Sequence, residues 1–287
     1  MEFEQKGDKR ASYGERLLEK LSKELTIKHG KGFSIRNLKN FRTFYRNYKK
    51  WQAVPAELGW TQICLIMKID DKYARNFYIQ ECSKNNWSTR ELDRQINSLF
   101  FERICLSRDK KEVIKLSKKG NLIKKPKDLF KDIYVLEFLD LDENNYYNES
   151  DIERKIIQNL QKFILEIGKG FVFVGKKHRI TVGNEDFYCD LVFFQRDLRC
   201  FVVFEIKIGK FSPKDLGQLQ FYVNYFDKFE KKKNENYTIG ILLCASKNNT
   251  VVEVSLPKNN SQLFTSKYKL YLPTKEELKK EITKLIE

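Results

Sequence analysis

The sequence predicts a two-domain α+β protein: a helical N-terminal part, then an α/β domain with a mixed sheet flanked by helices. Three observations carry this. The chain has 287 residues, room for two domains at roughly 100–200 residues each. Its first 106 residues show helical apolar spacing, as in the stripe Leu17, Leu18, Leu21 and Leu25. From residue 128 onward, short apolar runs alternate with helical segments, the pattern of a sheet covered by helices.

Residues 1–106 form the expected helical domain. SYGERLLEKLSKELTIKHGKG opens with Ser12 and Glu15 at capping-box spacing and closes on Gly30 and Gly32. SIRNLKNFRTFYRNYKKW turns Leu38, Phe41, Phe44, Tyr45 and Tyr48 inward, with Arg36, Lys39, Arg42, Arg46, Lys49 and Lys50 interleaved. WSTRELDRQINSLFFERI repeats the capping box at Ser88 and Glu91. Capped helices with basic faces fit a DNA reader of helix-turn-helix type. They fit a helical oligomerisation or scaffolding domain equally well. Residues 107–127 carry nine Lys/Arg against two acids and run to Pro126, the composition of a basic linker that either touches phosphates or is simply solvated.

Residues 128–287 form the expected α/β domain. A helix fits SDIERKIIQNLQKFILEIGKG. Strands fit FVFVG, HRITVG, DFYCDLVFF and CFVVFEIKI. A helix over SPKDLGQLQFYVNYFDKFEKKK is followed by strands over TIGILLCAS and YKLYLP. PTKEELKKEITKLIE closes as a helix capped by Thr274 and Glu277.

Composition narrows the function. The chain holds 55 Lys+Arg against 39 Asp+Glu, a net charge of +16, which favours a polyanion such as nucleic acid over a merely basic soluble surface. The six cysteines form no CxxC pair, so zinc spacing is absent; they read as reduced thiols of a cytoplasmic protein. With His29 and His178 as the only histidines, His-rich metal sites and Ser-His-Asp triads are disfavoured. No apolar run approaches the ~18 residues of a membrane span, and MEFEQKGDKR has no signal-peptide core.

The chemistry is concentrated in FYCDLVFFQRDLRCFVVFEIK. A tight turn at Asp197–Leu198 pairs Arg196 with Arg199, and counting outward sets Asp190 opposite Glu205 and Tyr188 opposite Lys207. Two opposed carboxylates repel unless a positive charge lies between them. Mg²⁺ meets that need with oxygen ligands from Asp190, Glu205 and the Ile206 carbonyl, and Mn²⁺ is a substitute. Period-two geometry puts Lys207 beside Glu205, to orient a water or neutralise charge on a phosphate. Ile206 and Ile208 face the core. Taken singly, these residues also fit a half-buried salt bridge or an exposed edge strand. Lys176, Lys177, His178 and Arg179 are candidate contacts to a nucleic-acid backbone, or an exposed turn. A two-carboxylate glycosidase would leave Lys207 and the charge excess without a role.

Asp190, Glu205 and Lys207 resemble the PD-(D/E)XK, restriction-endonuclease-like superfamily, with Cys189 where its nominal Pro would stand. Gln218 and Tyr222 in KDLGQLQFYVNYF match the Q-x3-Y element of RecB-like members; polar positions of an amphipathic helix account for them as well. The resemblance implies that Gln218 orients a phosphate, water or lysine, and that Tyr222 lies with it at the nucleic acid. It also implies a further metal-binding acid, Glu153, although Ser150 to Glu153 is itself a capping box. The segments YGERLLEKLSKELTIKHGKGFSIRNLKNFRTFY, KNNWSTRELDRQINSLFFER, LEIGKGFVFVG and FEIKIGKFSPKDLGQLQFYVN are similar to the YhcG-like nuclease family. That family implies a winged-helix-like N-terminal domain joined to a C-terminal nuclease domain. It implies a Mg²⁺-dependent DNA endonuclease of repair, recombination or mobile-element defence, and cleavage of both strands at one site would call for a homo-oligomer. The alternative is a non-catalytic DNA-binding module on a nuclease scaffold.

Overall fold

The computed structural model describes residues 11–48, 55–106, 110–141 and 147–278. The chain divides into two compact units, Met1–Asp93 and Arg94–Glu287. Among the described residues no helix is long and apolar enough to cross a membrane.

The first unit contains α1 (Ala11–His29), α2 (Ile35–Asn47), α3 (Trp60–Ile66), α4 (Lys72–Asn85) and the start of α5 (Thr89–Asn97). No strand occurs among its described residues. The Ser88–Glu91 capping box is formed: Glu91 accepts from the Ser88 amide at 2.6 Å, and Ser88 Oγ accepts from the Glu91 amide at 3.2 Å. The Ser12–Glu15 box falls outside the described side chains. Leu38 is buried as expected, but Phe41 and Tyr45 are 38% and 55% exposed. Phe41 meets the Trp60 ring at 4.8 Å and the Phe33 ring at 6.3 Å, both tilted, and these contacts leave part of its ring open.

The second unit continues through α6 (Phe100–Cys105) and α7 (Lys110–Lys119), so the expected linker contains a helix. Next come β1 (Ile133–Val135), α8 (Glu149–Gln158), α9 (Leu160–Ile167), β2 (Phe171–Val182), β3 (Glu185–Gln195), β4 (Cys200–Lys210) and α10 (Pro213–Tyr225). The last elements are β5 (Ile239–Ser246), α11 (Asn249–Ser255) and β6 (Leu263–Lys269). Six strands form one sheet in the order β1-β6-β5-β4-β3-β2. The hairpins β2–β3 and β3–β4 are antiparallel, and β4, β5, β6 and β1 run parallel.

The sheet separates two cores. Ile152, Ile156 and Phe163 of α8 and α9 pack with Phe193, Phe204 and Ile206. Leu216, Leu219 and Val223 of α10 pack with Val192, Val203 and Leu242. Gly240 lets α10 approach closely, because a Cβ there would lie 2.8 Å from Leu219 and Val223 side-chain carbons.

Several elements depart from the sequence reading. The helix expected from Ser150 breaks at Asn159 into α8 and α9. FVFVG and HRITVG are one strand, bulged between Phe173 and Gly175. β6 starts at Leu263, because the polar Thr265 and Ser266 are buried in the ladder with β5. The Thr274–Glu277 box forms, with Glu277 accepting from the Thr274 amide at 2.7 Å; the rest of that helix lies outside the described residues.

A buried ion cluster gathers Arg94, Arg103 and Lys131 of this unit around Glu166. Glu166 of α9 is fully buried and accepts from both Arg103 guanidinium arms, from Arg94 at 3.4 Å and from the Val135 amide at 3.1 Å. Lys131 donates to the Glu166 carbonyl. Burial alone would raise the Glu166 pKa, but Arg103, then Lys131 and Arg94, overcome it and hold it at about 2.

Candidate active site

β3 and β4 pair in the expected register, from Gln195↔Cys200 to Leu191↔Phe204. The ladder stops there, one pair short of Asp190 and Glu205. Beyond that point β3 continues with β2 and β4 continues with β5, so the strands fork. Two carboxylates directly opposed would repel, and the fork begins at the pair that would bring them face to face. Asp190 bridges the gap: its Oδ2 accepts from the Ile206 amide at 2.7 Å. The Tyr188 carbonyl accepts from the Tyr222 hydroxyl at 3.0 Å.

Asp190 and Glu205 are 4% and 1% exposed. Lys207 lies beside Glu205 as its i+2 position requires, with Nζ 3.2 Å from Glu205 Oε1 and 3.2 Å from Glu149 Oε2. The second oxygen of Glu205, Oε2, is buried with no hydrogen-bond partner. Burial, then the nearby Asp190 charge, pushes the Glu205 pKa up to about 8, with Lys207 offsetting part of the rise. For Lys207, burial pulls toward neutrality, but Glu205 and Glu149 more than reverse it and raise its pKa.

Glu153 joins the site from α8. The capping box of that helix is formed by Asn148 and Asp151, not by Ser150 and Glu153. Glu153 therefore points inward, and Lys177 bridges it to Asp190, with Nζ 2.8 Å from Glu153 Oε1 and 2.9 Å from Asp190 Oδ1. Burial, reinforced by Asp190, raises the Glu153 pKa against the opposing Lys177 bond. The two carboxylates likewise hold the Lys177 ammonium above the lysine range despite its partial burial.

Gln218 donates to the Tyr222 hydroxyl at 2.8 Å, so it braces the tyrosine and makes no bond to Lys207. Tyr222, expected at the nucleic acid, is only 2% exposed, because α10 is seated tightly on the sheet. It is a strut: burial raises its pKa, and the Glu205 and Asp190 charges add to that rise. Lys176 is exposed on β2. His178 and Arg179 are turned to other partners, the first to the Phe226 ring at 5.3 Å, the second to Asp186 at 2.9 Å.

The sequence reading missed Glu149, the second partner of Lys207, and the place of Lys177 between two acids. A signal existed for the first: Glu149 and Glu153 stand four apart on one helix and share a face.

Two family models match the chain. The model described as the YhcG PDDEXK nuclease domain matches residues 127–283, and the DUF1016 N-terminal domain matches residues 1–103. The Escherichia coli (strain K12) protein described as "Putative nuclease YhcG" is 34% identical over 316 aligned positions, covering 99% of this chain and 84% of that one. The chain belongs to the YhcG PDDEXK nuclease family. Among solved structures, a repair endonuclease from Pyrococcus abyssi aligns at TM-score 0.32 and 19% identity, over 46% of this chain and 50% of the other. An EndoMS–dsDNA complex aligns at TM-score 0.31 and 19% identity, over 47% and 50%.

PDDEXK nucleases generally use divalent metals. Among the described residues, no three His, Cys, Asp or Glu side chains stand grouped for ligation. The donors nevertheless fit a hard divalent cation. Asp190 and Glu205 supply buried carboxylate oxygens, and the orphaned Glu205 Oε2 is the kind of atom a cation satisfies. Such ions take one or two carboxylates and keep several waters, so a third acid is not required.

Proposed function

We propose that the chain is a divalent-metal-dependent DNA endonuclease that hydrolyses phosphodiester bonds at the β3–β4 fork. The observation that carries this reading is the buried pair Asp190 and Glu205, with Lys207 3.2 Å from Glu205 and one Glu205 oxygen unsatisfied. Membership of a nuclease family and the charge of +16 support it.

In this reading Asp190, Glu205 and the Ile206 carbonyl hold a Mg²⁺, for which Mn²⁺ substitutes, and Glu153 adds a further oxygen. The ion would supply an acidified water and neutralise charge on the phosphate. Lys207 keeps its ammonium next to the reacting group, where it orients the attacking water or takes up charge developing on phosphate oxygens. Glu149 and Glu205 hold that ammonium from two sides, which fixes its position. Gln218 and Tyr222 brace the Tyr188 carbonyl at the mouth of the fork. Lys176, exposed on β2, faces the DNA backbone, and the helical residues 1–106, read as winged-helix-like, contribute further basic surface.

The test is cleavage of a panel of duplex, branched and single-stranded DNAs with Mg²⁺ or Mn²⁺, with binding followed separately. Asp190→Ala is expected to abolish cutting and retain binding. Undiminished cutting by that variant overturns the site. Salt-sensitive binding without any metal-dependent product returns the chain to a non-catalytic DNA-binding role.

A further inference from the structure

Lys177 adopts φ +45°, the left-handed region that residues with side chains rarely occupy. It is absent from the β2–β3 ladder, which runs through Lys176↔Leu191 and resumes at His178↔Cys189, so its register position is opposite Asp190. Strained backbone of this kind persists where surroundings enforce it, and it concentrates at functional sites. Here the surroundings are the two carboxylates, one from α8 and one from β3, that share its ammonium at 2.8 and 2.9 Å. Both acids are buried, at 7% and 4% exposure, whereas 47% of the Lys177 side chain remains open to solvent. The lysine is thus a cation with an exit, seated between two acids without one.

We propose that Lys177 is an internal counter-ion of the metal seat, which holds Glu153 and Asp190 together and gives up that place when a divalent cation enters. The proposal rests on the assignment of these acids as ligands made above. A Mg²⁺ ion draws carboxylate oxygens to about 2.0–2.1 Å. An ion held by both carboxylates would take the place that the Lys177 ammonium now occupies, 2.8 and 2.9 Å from them, and so would break both Lys177 contacts. The contacts therefore lower divalent-ion affinity while preventing the acids from repelling each other before the ion arrives. An arginine at this position would compete harder, because its planar fork grips carboxylates through paired hydrogen bonds.

The test is calorimetric titration of the full chain with Mn²⁺, alongside thermal unfolding with and without the ion. Lys177→Met is expected to take up Mn²⁺ about tenfold more tightly than wild type, and Lys177→Arg more weakly. Lys177→Met should also melt below wild type without the ion and match it at saturating Mn²⁺. Asp190→Asn should lose the uptake. If Asp190→Asn loses it while Lys177→Met binds no more tightly than wild type, the counter-ion role is overturned and the metal site stands. If Asp190→Asn retains the uptake, the site assignment fails and the counter-ion role fails with it.

Discussion

Glu205 and Asp190 sit side by side, yet the fold treats them differently. Both Asp190 oxygens are used, one by Lys177 and one by the Ile206 amide. Glu205 keeps one oxygen orphaned, and burial beside Asp190 pushes its pKa up to about 8, so at neutral pH the folded chain favours the protonated carboxyl and ionising it opposes folding. Neutralising it should therefore stabilise the ion-free protein while abolishing cleavage, the trade expected of a functional site. Glu205→Gln is expected to gain about 1–2 kcal/mol by calorimetry, roughly 2–8 °C in Tm at this chain length. Asp190→Ala has the opposite sign, with a loss of about 1–3 kcal/mol, because it leaves the buried Ile206 amide without its acceptor and takes one of the two carboxylates from Lys177. Equal signs for the two variants would refute this division of labour.

At the scale of elements, the position of α10 decides whether Gln218 and Tyr222 reach the fork. Gly240 sets that position, and Gly240→Ala should push the helix off β5, costing about 1–3 kcal/mol as overpacking does. Cleavage should fall with it, and a variant with normal stability and activity would show that the close approach is dispensable. Much of this arrangement was legible in the sequence. Alternation by two and a tight turn fix the β3–β4 register, and with it the neighbourhood of Asp190, Glu205 and Lys207. What escaped depends on distant partners. β1 is three residues long and pairs with a strand more than a hundred residues away. Phe41 and Tyr45 lie on an apolar stripe, but a stripe does not say how much of it a neighbour covers. Two overlapping capping boxes fit the start of α8, and only the packed helix shows that Asn148 and Asp151 form the real one, which frees Glu153. The cluster on α9 has its own pH signature. Glu166 is held at about 2 against an ordinary 4.5, so the stability it supplies is complete above about pH 4.5 and is lost as pH falls toward 2. Acid unfolding curves of Glu166→Gln should lack that component.

For the whole molecule, two measurements follow. DNA binding should weaken linearly in log[salt], by about 0.9 for each phosphate contacted, and a flat dependence would exclude the charge excess as its source. The second concerns where the catalytic unit begins. The nuclease family model matches from residue 127, yet Arg94 and Arg103 reach Glu166 from outside that span. A fragment of residues 94–287 is expected to unfold cooperatively. One of residues 127–287, which leaves the buried carboxylate without its guanidinium partners, should be less stable by about 3–5 kcal/mol or more. Equal denaturation midpoints would show that the arginines are incidental.

The same two arginines fall within the stretch matched by the N-terminal family model, residues 1–103. Sequence kinship and physical dependence thus draw the border in different places. A gene fusion or recombination event joined at residue 104 would import a foreign helix pair opposite Glu166, and only donors bringing basic residues to those two positions would yield a sound hybrid.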